Sequence, residues 1–247
     1  MAEVDISRQG GVLELTLNRP AKKNALTAAM YGALNEGLDQ AEADAAIGAV
    51  VIRGAGGVFT AGNDIKDFAR ATQSGEPLAA VRFVRKIAGF SKPIVAAVEG
   101  LAIGVGCTLL LHCDLVYVSP DARFSLPFVN LGLLPEAGSS LLLPRRVGMA
   151  RASAWLLLAE GFDAQEALSA GLANAIVAND ALVEFAREKA AALAAKPRAA
   201  LLQARAFLRG DRDEILARVD AELEAFRQAL QTPQAQAALA AFLNKSK

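Results

Sequence analysis

Three short apolar runs constrain this chain most: IGAVVIRGAGG (47–57), PIVAAVEG (93–100) and DLVYVS (114–119). They are short, mostly apolar and rich in β-branched residues, with glycine, proline or polar residues at their ends, so the first two read as buried strands and the third as a strand. A strand that is apolar on both sides needs cover on both sides, and helical patterns elsewhere in the chain can supply it. Thr27 is a suitable cap for a helix reaching to about residue 42. Val81, Val84, Ile87 and Ala88 fall at helical spacing within 77–90, and VGCTLLLHC fits an apolar helix. Ahead of them, VLELTLN (12–18) sets Leu13, Leu15 and Leu17 against Glu14 and Thr16, which predicts a half-buried strand. The fold class read from these segments is α/β with layered packing.

The last third reads as helical. In FDAQEALSAGL, Asp163 suits an N-cap, Glu166 its capping-box partner and Gly171 the stop. Ile215, Val219, Leu223, Phe226 and Leu230 form an apolar stripe over 212–231, to be covered by the core or by another subunit. We divide the chain into a core, 1–194, and a C-terminal helical region, 195–247. The polar stretch ATQSGEP (71–77) predicts a mobile loop.

Bulk properties exclude several classes. Hydrophobic residues make up 53% of 247, enough for a sizeable core. Lys plus Arg and Asp plus Glu are both 26, so no net field favours nucleic acid or an anionic membrane. Cys107, Cys113 and the single histidine, His112, lie together in an apolar run and read as core rather than as metal ligands. No metal site is expected. The start MAEVDISRQG lacks a signal-peptide layout, and no uncharged apolar run reaches ~18 residues, so a cytoplasmic location is expected.

Three segments carry chemistry. In EGLAIGVGCTLLL (99–111), glycines ahead of a helix can expose the N–H near Val105 to an oxyanion or phosphate, or serve only close packing. The dinucleotide fingerprint fails there for want of the third glycine. In FTAGNDIKDF (59–68), Ala61 and Gly62 allow a ligand close to main-chain amides, and Asp64 suits a helix cap. In LGLLPEAGSS (131–140), Glu136 stands among mostly apolar residues, either as the first turn of a helix after Pro135 or as a base in an apolar pocket.

Taken in order, LNRP…KNAL, FTAGNDIKDF, KPIVAAVEGLAIGVGCTLLLHCDL, ARFSLPFVNLGLLPEAGSSLLLPRRVG, AEGFDAQEALSAGLANAIV and ALAAFLNKSK resemble the crotonase, or enoyl-CoA hydratase/isomerase, superfamily along nearly the whole chain. The resemblance implies a spiral of repeated β-β-α turns, a C-terminal helical trimerisation region, and an acyl-CoA thioester substrate. It also implies a homotrimer or hexamer. Coenzyme A would be part of the substrate, with no separate cofactor.

By position, the resemblance puts oxyanion amides at Asn63 and Val105, and CoA or substrate contacts at Lys23, Asn24, Ala25, Ala61, Asp64, Ile65 and Phe128. It suggests Phe242 or Lys245 of a neighbouring subunit near the CoA. Hydratases of the family use two glutamates, but Thr108 and Phe128 stand at those positions here. PEAGSS with GNDI resembles instead the Δ3,Δ2-enoyl-CoA isomerase branch, which implies Glu136 as a single proton shuttle. A hydratase or other crotonase reaction, and a non-catalytic acyl-CoA-binding scaffold, are the alternatives.

Overall fold

The computed structural model describes residues 2–67 and 79–245, the side chains of 242–245 excepted. The loop expected over 71–77, and the side chains of Phe242 and Lys245, lie outside the described residues. The strands are β1 (Val4–Gln9), β2 (Val12–Leu17), β3 (Ala49–Gly54), β4 (Ile94–Val98), β5 (Leu101–Ile103), β6 (Leu115–Val118), β7 (Arg123–Ser125), β8 (Phe162–Asp163) and β9 (Ala175–Ile176). The helices are α1 (Ala28–Ala43), α2 (Ala79–Gly89), α3 (Val105–Thr108), α4 (Ser139–Val147), α5 (Met149–Leu157), α6 (Ala164–Ser169), α7 (Asn179–Ala194), α8 (Arg198–Arg209), α9 (Arg212–Leu230) and α10 (Pro233–Lys245).

The chain winds as a spiral. Successive coils place one strand in a six-stranded sheet of order β1-β2-β3-β4-β6-β9, a short extended piece in a second stack, and a helix outside. Apart from the antiparallel β1–β2 pair, the large sheet is parallel. Leu15, Ile52, Ala96 and Val116 stand in register across four of its strands and are all buried. The other face carries Val51, Val95 and Tyr117, covered by Leu182, Ala186 and Ala190 of α7. Cover on both faces is why the central strands read as unbroken apolar runs. The second stack runs from Thr60 through Ala102 and Phe124 to Phe162.

Several expectations need correction. The strand VLELTLN is buried at all six of its residues in β2, not half-buried. Glu14 is covered because Arg53 and Arg187 meet its carboxylate at 2.7 Å each. Burial alone would raise its pKa, but the bonds from Arg187 and Arg53 outweigh burial and hold it down at about 2. Asp163 does cap α6, accepting from the Glu166 amide at 2.9 Å. The Glu166 side chain, however, accepts from the Trp155 indole rather than closing a capping box. In α2 the buried stripe is Phe83, Val84, Ile87 and Ala88, with Val81 only half-buried. The apolar segment after Gly104 is a single turn, α3, that tightens into a 3-10 turn over Leu109–His112.

The C-terminal helices dock on the core. Arg205 of α8 reaches the Asp114 carboxylate at 2.8 Å and the Phe90 carbonyl at 2.8 Å. The stripe of α9 buries Ile215, Val219 and Leu230, and it also buries a carboxylate, Glu222. No helix among the described residues is long and apolar enough to cross a membrane.

Candidate active site

The two turns that carry the candidate amides pack together because the coils stack. Leu26 donates to the Gly62 carbonyl at 2.8 Å and accepts from the Asp64 amide at 2.9 Å, so the Asn63 N–H is turned the opposite way. One coil on, Thr60 bridges Ala102, donating to Leu101 and accepting from Ile103. The turns touch closely: a β-carbon on Gly62 would stand 2.8 Å from the Ile103 carbonyl oxygen, and one on Gly106 would stand 2.3 Å from the Thr60 methyl. Only glycine fits at these two places. Val105, next in line, is the first residue of α3, where a helix leaves its leading N–H groups unbonded. Among the described residues, neither the Asn63 nor the Val105 amide has an acceptor in the protein.

Glu136 lies on the irregular stretch before α4, which begins at Ser139 with Gly138 as its N-cap. Pro135 and Glu136 therefore precede the helix, and the expected first-turn placement is corrected. Ala137 and Gly138 both have positive φ, 59° and 70°. This double left-handed turn sends the carboxylate inward, where it is 7% exposed. The Thr108 hydroxyl donates to it, and that hydroxyl lies 3.4 Å from the Val105 carbonyl oxygen. The acid is thus one side chain away from the helical turn that presents the Val105 amide. Burial pushes the Glu136 pKa up, the Thr108 bond draws it back, and the charge of Glu222 adds to the rise, leaving it at about 7.

Of the expected substrate-contacting residues, those of 23–25 and 61–65 belong to two segments that lie side by side. Lys23, exposed and at φ 50°, accepts from the Ala61 amide through its carbonyl at 2.9 Å, which lays Lys23, Asn24 and Ala25 beside Ala61. The Asn24 side chain is fully buried and is spent inside the loop, donating to Ala55 and Val58 and accepting from Arg19. Asp64 caps the next helical turn through the Lys66 and Asp67 amides and pairs with Arg19 at 2.8 Å. Ala25, Ala61 and Ile65 are half-buried, whereas Phe128 is buried in the main core. Among the described residues no three His, Cys, Asp or Glu side chains converge at metal-binding spacing.

Comparison with known proteins matches residues 7–247 to the family model described as enoyl-CoA hydratase/isomerase. The chain belongs to the enoyl-CoA hydratase/isomerase family. A 2,3-dehydroadipyl-CoA hydratase of Escherichia coli is 38% identical over 99% of this chain and 97% of its own length. Enoyl-CoA delta isomerase 2 of Rattus norvegicus is 38% identical over 69% of this chain and 45% of that protein. An enoyl-CoA hydratase/isomerase crystal structure from Pseudoalteromonas atlantica superposes with a TM-score of 0.93 at 40% identity, covering 98% of this chain and 97% of that one.

Within this family member, the structure adds groups that sequence reasoning missed. Tyr31 of α1 donates to the Asn63 side-chain oxygen at 2.5 Å. Thr108, noted in the sequence only as a missing glutamate, is the hydroxyl on Glu136. His112 and Glu222 hold the turn that follows Glu136. Each pair is 25 to 84 residues apart in sequence, beyond any local pattern.

Proposed function

We propose that this chain is an isomerase that converts 3-enoyl-CoA to 2-enoyl-CoA. The thioester oxygen docks on the Asn63 and Val105 amides. The Glu136 carboxylate takes a proton from C2, and the electron pair moves onto the thioester oxygen as an enolate. As the enolate collapses, the double bond moves to C2–C3 and the same proton is returned at C4. No water is consumed and no cofactor is needed beyond the coenzyme A the substrate carries. Lys23, Asn24, Ala25, Ala61, Asp64 and Ile65 flank the thioester, and Phe128 helps keep water out.

The observation that carries this reading is the buried Glu136 carboxyl, raised to about 7 and bonded by Thr108, one side chain from the turn that presents the Val105 amide. A group with pKa near the working pH can both take and return a proton. Hydration needs a positioned water, and Thr108 and Phe128 offer no second carboxylate for it. The hydratase reading is the second one, and what favours it is the 38% likeness to the 2,3-dehydroadipyl-CoA hydratase. Assaying 3-enoyl-CoA isomerisation beside crotonyl-CoA hydration separates them, with isomerisation expected to dominate. Glu136→Gln should lower isomerase kcat by on the order of 10²–10⁴-fold while CoA-ester binding persists. Full turnover in that variant overturns the assignment.

We also assign oligomerisation, as a homotrimer or a hexamer, to the helical region 195–247. Its support is apolar surface left open on α8, where Phe207 is 79% and Leu208 89% exposed.

A further inference from the structure

The turn that aims Glu136 is held from two distant parts of the chain. Ala137 occupies the left-handed region, which a residue with a β-carbon adopts only when its surroundings impose it. Its carbonyl oxygen lies 2.7 Å from His112 Nε2. A carbonyl can only accept, so Nε2 carries the proton, and Nδ1 has no partner among the described residues. Burial, with Arg209, Arg146 and Arg205 nearby, pushes the imidazole down to about 3, so it stays neutral. From the other side Glu222 of α9 accepts from the Gly138 amide at 2.6 Å, the Ser140 amide at 2.9 Å and the Ser140 hydroxyl at 2.5 Å.

A neutral serine or asparagine would satisfy free amides at the start of α4. Burying a charged carboxylate there costs more than a neutral cap requires. The titratable groups felt at Glu136 are Tyr31 of α1, Cys107 of α3 and Glu222 of α9, and Glu222, itself raised by burial, also faces the Arg218 guanidinium. Burial raises Tyr31 and Cys107 further above neutrality, so both are uncharged. The field of Glu222, partly offset by Arg218, adds to the rise at Glu136.

We infer that His112 and Glu222 are positioning residues for the proposed reaction, clamping the Ala137–Gly138 turn so that the Glu136 carboxylate points at the two amides. The inference rests on Glu136 being the proton shuttle. Its test measures kcat, KM and the pH profile of 3-enoyl-CoA isomerisation in His112→Phe, His112→Gln, Glu222→Ala and Glu222→Gln, with Glu136→Gln as reference. Displacing a catalytic group by about 1 Å can cost on the order of 10²-fold, so His112→Phe and Glu222→Ala should lose up to that in kcat with KM little changed. His112→Gln, which keeps a donor, should recover much of the loss. Glu222→Gln, which keeps an acceptor but removes the charge, should move the rising limb of the kcat profile to lower pH.

Wild-type kcat in His112→Phe and Glu222→Ala, with Glu136→Gln inactive, overturns the clamp and leaves the proposed function standing. Full activity in Glu136→Gln overturns both. Where the larger changes prevent folding, a Glu222→Gln variant with wild-type kcat, KM and pH profile decides against the clamp. A loss shared equally by kcat, KM and melting temperature, with no change in the pH profile, also overturns it.

Discussion

At neutral pH the carboxyl of Glu136 is close to half protonated, and the fold bears a cost for that. Burial raises its pKa from 4.5 to about 7, so the folded protein binds this proton more tightly than the unfolded chain does. The stabilising contribution is complete below the unfolded pKa and is lost as pH rises through about 7. A shift of that size corresponds to roughly 3 kcal/mol at full deprotonation. Glu136→Gln should therefore melt higher than the wild type at pH 8, by several degrees at about 2–4 °C per kcal/mol, and the difference should vanish near pH 4.5. Thermal melts of both proteins across that range check it. An equal gain at every pH would mean the carboxyl is not the group being desolvated. Glu136 was legible in sequence because an acid among apolar neighbours is a local signal. Its supports were not: Thr108, His112 and Glu222 are ordinary residues in their own windows and acquire meaning only once the coils stack.

Among the elements, the stacking of 60–63 against 102–106 sets the spacing of the two amides. Gly62 has φ 85° and its missing β-carbon would stand 2.8 Å from a backbone oxygen, which cannot move aside cheaply. Gly62→Ala should cost about 1–3 kcal/mol of stability from strain and close contact. It should also lower kcat by on the order of 10²-fold, the worth of one displaced oxyanion donor. Denaturant melts and steady-state kinetics on one preparation measure both, and retained kcat with lost stability would detach this turn from the chemistry. The strands showed the reach and the limit of local pattern. β3, β4 and β6 stand where their apolar runs predict, because burial on both faces writes itself into every residue. The alternation in β2 predicted a wet face, but Arg187 covers Glu14 from 173 residues away, and no short window contains that partner. The 3-10 turn after α3 was equally hidden, since both helix types share the same apolar content.

For the whole molecule, the C-terminal helices do more than close the core. α9 delivers Glu222 to the turn behind Glu136, so the region proposed for assembly also holds that turn. The open apolar surface of α8 sets the test of assembly: Phe207→Asp with Leu208→Asp should turn a species of three or six chains into a monomer in sedimentation. Unchanged sedimentation would place the contact elsewhere. α7 has a separate consequence for how the protein is made. As the nascent chain leaves the ribosome, β2, β3, β4 and β6 can pair in order, yet the helix that shields Val51, Val95 and Tyr117 emerges only after residue 179. Between the end of β6 at Val118 and the start of α7 at Asn179 one side of the sheet is a bare greasy surface, and that interval is when a chaperone has most to offer this chain.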